Sequence, residues 1–181
     1  MQYNTASKVE EYFRQFDTMF DDNLKCCRTQ TLVADNYITL GQMTALRFIE
    51  WVSLNPGGVV ALPTGKTPEF FIKWLADYRD NWDRESSSGL ICKLGIGKPD
   101  FRSLHFFQLD EFFPINPEHE RSFRFFVKKY YVDLLGFDPQ KTHLINTWFL
   151  NEEEQRALGG ARNLGEVFEG GRIDLSLRTR I

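Results

Sequence analysis

Long apolar runs are missing from this chain. No stretch of its 181 residues approaches the roughly 20 apolar residues of a membrane span, and Met1 to Phe20 has neither the basic start nor the unbroken apolar core of a secretion signal. Those absences predict a chain that stays in the cytoplasm and has no membrane partner. Cysteine is scarce: three residues, with Cys26 and Cys27 adjacent, give neither a paired disulfide framework nor a spaced zinc quartet. They fit a reducing compartment, and no spacing among them and the three histidines suggests a metal site. A basic stripe is lacking too. The net charge is -3 with no long Lys/Arg run, which excludes a general nucleic-acid binder, so any anion site must be local. There is no internal repeat, heptad array or low-complexity tract. What remains, at 42% hydrophobic and 26% charged, is the composition of one ordinary globular domain.

What is present is a strand, a tight loop and a helix start in immediate succession, from Gly58 to Pro68. Val59 to Leu62 is a short apolar run between turn signals, as expected of a strand buried in a parallel sheet. Thr67 can cap the helix that follows, with Pro68 at its first position and Glu69 complementing its positive end. Phe70, Phe71, Trp74, Leu75 and Tyr78 then form one helical stripe. Pro63 to Thr67 is the loop between. Its backbone N–H groups and the helix N-terminus converge on one spot suited to a phosphate or carboxylate.

Upstream, Ser7-Lys8-Val9-Glu10 fits a capping box opening an amphipathic helix to about residue 24. Residues 25 to 38 read as irregular, and Thr39 as the cap of a second helix carrying Met43, Leu46, Ile49 and Val52. Downstream, Asp83 to Asp100 reads as a connecting loop with a short helical turn near Leu90 to Leu94. Ser103 to Leu109 is a second strand, ending on Asp110-Glu111. Ligands of parallel α/β sheets bind outside the carboxyl ends of strands, where the Gly65 loop and Asp110 both stand. Phe123, Phe126, Val127, Tyr130, Tyr131, Leu134 and Leu135 make an amphipathic helix closed by Gly136, and this spacing assigns the aromatic residues to packing. Thr142 to Ile145 reads as a short strand. Asn151 caps a helix that opens with Glu152-Glu153-Glu154 and is weakened in its middle by Gly159 and Gly160. Ile173 to Leu177, after Gly170-Gly171, reads as a last strand. The order predicts an α/β, three-layer fold, a mostly parallel sheet with helices on both faces. Residues 1–55 form a helical segment packing on the sheet that residues 56–181 build.

Gly65-Lys66-Thr67 invites comparison with the nucleotide-binding P-loop, but that pattern requires Gly at position 60, where this chain has Val. A second family fits more of the chain. Leu62-Pro63-Thr64-Gly65-Lys66-Thr67-Pro68 resembles the phosphate loop of glucosamine-6-phosphate deaminases, usually Leu-Pro-Thr-Gly-Gly-Thr-Pro. Leu109-Asp110-Glu111-Phe112 with Pro117-Glu118-His119 and Ser122-Phe123 resembles the family's Asp-Glu-Tyr strand end and His-Pro-x-Ser-Tyr segment. Gly170-Gly171-Arg172-Ile173-Asp174-Leu175 resembles its Gly-Gly-Ile-Asp-Leu strand with one extra residue.

The resemblance implies a deaminase/ribose-5-phosphate isomerase-like fold and an open-chain amino-sugar phosphate as substrate, with no cofactor and no metal. Thr64, Gly65 and Thr67 would hold the phosphate, with Lys66 adding a charge where the family has its second Gly. Asp110 would be the base that moves a proton between C1 and C2 through an enediol-type intermediate, helped by partial desolvation. His119 sits in a polar loop and serves equally as a surface residue; His105 and His143 read as sheet residues. After Leu175 the family's Asp-Gly-His block and Asn-Glu pair are not found, and Ser176 to Arg180 resembles a segment from beyond it. The chain therefore reads as a sugar-phosphate isomerase/deaminase-like protein, incomplete or inactive as these 181 residues. The alternatives are a non-catalytic, oligomer-forming sugar-phosphate binder and, further off, a P-loop-like NTPase. Exposed sheet edges and helix faces would favour homo-oligomers.

Overall fold

The computed structural model describes residues 7–15 and 32–168, so the expected run of the first helix to residue 24 and the strand expected at 173–177 lie outside the described residues. Among the described residues three short parallel strands pair in the order β1 (Val59–Val60), β2 (His105–Phe107), β3 (Thr142–His143). Val59 pairs with His105, Val60 with Phe106, Phe106 with Thr142 and Phe107 with His143. Alternation decides which side is packed. Val60 and Phe106 point into the core, while Val59 (49% exposed) and Phe107 (45%) point the other way, beside Leu109 (58%). On that outer side His143 stacks on Phe107, with ring centroids 4.2 Å apart.

The packed face meets the helices through aromatic rings. Phe106, fully buried, lies 5.2 Å from Tyr131 and 5.7 Å from Phe137 between ring centroids; Phe137 stacks on Phe101, and Phe101 on Phe48. Offset and edge-on pairs of this kind add stability beyond the apolar area they bury. Phe48 belongs to α2 (Tyr37–Leu54), which runs along α3 (Glu69–Asp80). The short α1 (Lys8–Arg14) is tied to α2 by a buried carboxylate: Glu50 accepts the Ser7 hydroxyl at 2.7 Å and the Lys8 N–H at 2.6 Å. Ser7 caps α1 as the sequence suggests, accepting from the Glu10 N–H, but Glu10 reaches away to Arg47.

The start of α3 is pressed against α2 at a glycine. A Cβ on Gly41 would stand 2.5 Å from Phe70 Cβ and 2.8 Å from the Phe70 carbonyl carbon, so an alanine there must push the two helices apart. Gly→Ala in a helix ordinarily gains about 1 kcal/mol. Here overpacking costs about 1–3 kcal/mol, so Gly41→Ala should lower the melting temperature by several degrees, the reverse of the usual sign, in thermal unfolding followed by circular dichroism.

Several elements begin or end differently from the sequence reading. Asn36 rather than Thr39 caps α2, its side chain accepting from the Ile38 and Thr39 N–H groups, so the helix starts earlier. The helical turn expected near Leu90 to Leu94 is α5 (Leu90–Leu94), anchored by buried Ile91 and Leu94, but the loop expected before it is largely α4 (Trp82–Ser88), where Ser86, Ser87 and Ser88 turn their hydroxyls back to carbonyls three or four residues earlier. The second strand shrinks to β2 behind a 3-10 turn at Phe101–Ser103. The amphipathic helix after Ser122 opens as α6 (Phe123–Phe126) and widens into a π-helix over Val127–Leu134. After β3 and a capping-box helix α7 (Glu152–Ala157), Gly159 and Gly160 do not weaken a helix interior but end the helix: both have positive φ, and the Gly160 N–H returns 2.7 Å to the Gln155 carbonyl. The last described helix is α8 (Leu164–Val167). Among the described residues no helix is long and apolar enough to cross a membrane.

Candidate functional site

Parallel strands put all their carboxyl ends on one side, and neighbouring strands stand about 4.8 Å apart. The chains leaving β1, β2 and β3 therefore emerge side by side: Ala61 to Pro68, Gln108 to Phe112, and Leu144 to Thr147. Thr64, Gly65, Lys66 and Thr67 lie on the first of these and Asp110 on the second, on neighbouring strand ends.

In the first segment Gly65 has φ of +82°, a conformation that glycine takes without steric cost. Thr67 does not cap the helix. Pro68 occupies the N-cap, with no side chain bonded to the first turn, and α3 begins at Glu69. Among the described residues nothing accepts from the backbone N–H groups of Gly65, Lys66 or Thr67. A helix start with donors open and a positive dipole end is suited to an anion. Lys73 is engaged by Glu69 at 2.6 Å, and that hydrogen bond, with the charges of Lys73 and Lys66, draws the Glu69 carboxyl below its ordinary range. Lys66 itself is exposed and pairs with no carboxylate among the described residues. The loop is held from behind. Tyr131, buried in the π-helix, donates its hydroxyl to the Pro63 carbonyl at 2.6 Å, and its burial pushes the phenol well above its usual range. π-Helical turns widen the backbone at functional positions more often than elsewhere.

In the second segment Asp110 and Glu111 have opposite fates. Asp110 is exposed, so the desolvation expected of it is not provided by the described residues. Glu111 turns inward and caps α6 across eleven residues. Its carboxylate accepts from Ser122 Oγ (2.7 Å), the Arg124 N–H (2.7 Å), the Phe123 N–H (2.9 Å) and the Phe112 N–H (3.0 Å). Burial raises its pKa, but these hydrogen bonds together outweigh burial and hold it below the ordinary carboxylate range. Since the folded value is the lower one, this stabilisation is complete above the unfolded carboxylate value, near pH 4.3, and is lost as pH falls through the folded one. The stability gap between the parent chain and Glu111→Gln should therefore close below about pH 4, as urea unfolding across pH 3 to 6 would read.

Beneath the second segment lies Gln108, buried at the end of β2. Its place as an amide between the apolar Phe107 and Leu109 was the one sign of a role available in the sequence. Ser122 was visible as part of a motif, whereas nothing in the spacing singled out Tyr131 from the other aromatics. His119 is exposed and accepts the Arg121 N–H within a turn. Beside the loop an open groove of about 880 Å³ runs between α3 and α6, lined in part by Gly65, Lys66, Phe112, Arg121, Lys129 and Tyr130. Its charged lining is Lys66, Lys73, Arg121 and Lys129 against the two carboxylates Glu69 and Glu120. Among the described residues no group of three or more His, Cys, Asp or Glu side chains could hold a metal ion.

Comparison with known proteins finds relatives bearing one name. The chain is 28% identical over 117 residues to the glucosamine-6-phosphate deaminase of Clostridium tetani, covering 65% of this chain and 42% of the relative. It is 28% identical over 148 residues to that of Hahella chejuensis, covering 82% and 49%. A glucosamine-6-phosphate deaminase 2 from Giardia intestinalis is 26% identical over 113 residues, 62% of this chain and 37% of the relative. The chain thus spans about half the length, or less, of these curated relatives. Among solved structures, a monomeric glucosamine-6-phosphate deaminase described as a missing link of the NagB superfamily matches with a TM-score of 0.52 at 18% identity, over 68% of this chain and 46% of that one. That likeness concerns the α/β fold. No protein-family model matches. The family resemblance read from the loop, the Asp110 strand end and the Gly170 segment is met by homologues of that family.

Proposed function

We propose that this homologue of the glucosamine-6-phosphate deaminases binds an amino-sugar 6-phosphate, with the phosphate on Thr64 to Thr67 and C1 and C2 of the open-chain sugar at Asp110. The observation that carries this reading is the pairing, on adjacent strand ends, of an open, uncapped helix start with an exposed carboxylate. Backbone N–H groups and the Lys66 ammonium complement a phosphate dianion. An Asp110 carboxylate in contact with the sugar would take the C2 proton and return it at C1, leaving a 2-imino or 2-keto sugar; with an amine at C2, addition of water to the imine then releases ammonia. Closure of the ligand over Asp110 would supply the desolvation that raises its basicity. Ring opening and leaving-group protonation call for further acid/base groups, and no histidine follows His143 in this chain. Binding without turnover is therefore the expected behaviour of residues 1–181. A cytoplasmic setting fits, since a phosphorylated sugar is retained by its charge.

Self-association belongs to the same reading, supported by the apolar side chains Val59, Phe107 and Leu109 exposed along the outer side of the sheet. Sedimentation of a monodisperse monomer at high concentration would contradict it. The binding claim is tested by thermal unfolding with and without millimolar glucosamine-6-phosphate, on the parent chain, Thr67→Ala and Asp110→Asn, with ammonia assayed in the same samples. A ligand that binds only the folded state raises the melting temperature. Stabilisation that is lost in Thr67→Ala, without ammonia, supports the reading. Ammonia release abolished by Asp110→Asn would show that the acid/base set is complete within these residues. A folded protein indifferent to the ligand would overturn the assignment.

A further inference from the structure

We propose that Gln108 and Glu111 are positioning residues for Asp110: they fix the carboxyl end of β2 so that the sugar end of the ligand is held there, while the phosphate end depends on the Gly65 loop alone. This rests on the sugar-phosphate reading above and deepens it. Gln108 uses both ends of its buried amide. Its Nε2 donates to the Asp110 carbonyl at 2.8 Å and to Glu111 Oε2 at 3.3 Å; its Oε1 accepts the Ile145 N–H at 3.1 Å from the segment leaving β3. Its own N–H donates to the His143 carbonyl at 3.0 Å. One side chain thereby locks two neighbouring strand ends and the main chain of Asp110.

Glu111 carries the lock onward to the start of α6, through Ser122, which is itself buried and also accepts the Phe125 N–H. Asp110 is thus flanked by two anchored residues and is the exposed one of the three. Glu111, half-buried, is held at α6 while Asp110 stays exposed, and a shift of the Glu111 carboxylate would loosen the main chain beside Asp110. The loop over Thr64 to Thr67 is anchored further along the same helical stretch, by Tyr131 on Pro63. The two halves of the site are held by different side chains, Glu111 and Ser122 at the start of that stretch and Tyr131 within it, so each support can be substituted independently.

That independence sets the test. Dissociation constants for glucosamine-6-phosphate and for inorganic phosphate would be measured by calorimetry on the parent chain, Glu111→Gln and Ser122→Ala, with unfolding curves recorded in parallel to confirm that each is folded. The parent should bind the sugar phosphate more tightly than phosphate. Glu111→Gln should lose that increment, about tenfold if one positioned hydrogen bond to the sugar is forfeited, and Ser122→Ala about threefold, both with phosphate affinity within twofold of the parent. A merely structural role would weaken both ligands by the same factor, and that result overturns the inference, as would an unchanged increment in a folded Glu111→Gln. Should Glu111→Gln fail to fold, Ser122→Ala decides by the same criterion. A parent chain that binds phosphate but gains nothing from the sugar also refutes the positioning role while leaving the anion loop standing. A folded parent that binds neither ligand refutes the sugar-phosphate reading and this inference with it.

Discussion

Phe106→Ala should bring down the melting temperature by about 6–20 °C and leave a large unfolded fraction at physiological temperature. Phe106 sits in the middle strand, fully buried, with Val60 beside it on β1 and Thr142 on β3. Its ring is the contact through which the sheet reaches Tyr131 and Phe137. Phe→Ala in a core costs about 3–5 kcal/mol, because the lost transfer energy is joined by the cavity left behind. A domain has only about 5–15 kcal/mol in total, and each kcal/mol is worth about 2–4 °C at this size. The strands here are two or three residues long, so backbone pairing offers little to offset the loss. Tyr131 would lose its support as well, and with it the hydroxyl that holds Pro63. A melting curve unchanged within 2–3 °C would mean that the aromatic ladder is not the core.

The second large effect separates binding from folding. Gly65→Val should abolish stabilisation by phosphate ligands, weakening them at least about 100-fold, while lowering the melting temperature by only a few degrees. At φ of +82° a β-branched residue is strained, and the loop must rotate to relieve it. That rotation turns away the N–H groups of Gly65, Lys66 and Thr67, each of which, on the proposed reading, would give a bound phosphate a charge-assisted hydrogen bond worth about 1.5–3 kcal/mol. Stability should suffer little, because a Cβ at Gly65 would meet no atom within 4 Å. Gly41→Ala is the complement: it strains packing rather than the loop, so it should cost stability with little direct effect on ligand contacts. Differential scanning fluorimetry with and without 10-fold excess ligand would read both variants; equal ligand shifts in Gly65→Val and the parent would remove the loop from the site.

The parts of the fold that were legible in the sequence are those governed by short-range pattern. The strand, loop and helix around Gly65 could be read because an apolar run, a glycine and a proline follow each other within ten residues. The stripe from Phe123 to Leu135 could be read from its spacing, and Asn151 with Glu154 from the capping box. Where the reading went astray, a longer-range interaction or a competing local one decided. Thr67 looked like a cap, but Pro68 took the N-cap and left the threonine outside. Ser86 to Ser88 looked like a linker, yet their hydroxyls bond back into α4, and the next helix, α5, is pinned to the core by Ile91 and Leu94. The π-helix carries the same apolar stripe as an α-helix, so spacing did not distinguish them. Glu111 is the instructive case: beside Asp110 it read as the tip of a strand, whereas its partners stand up to thirteen residues away at the start of α6 and make it a cap. Sequence spacing pointed to two strand ends, and only the folded chain showed which of the two carboxylates is exposed.

The most direct test of the account is an amide 15N–1H titration of the chain with glucosamine-6-phosphate and, separately, inorganic phosphate. The N–H groups of Gly65, Lys66 and Thr67 should shift and saturate with both ligands, and those of Asp110 and its neighbours with the sugar phosphate alone. Saturable shifts confined to other segments, with residues 64–67 unmoved in a folded protein, would contradict the placement of the anion site at the start of α3.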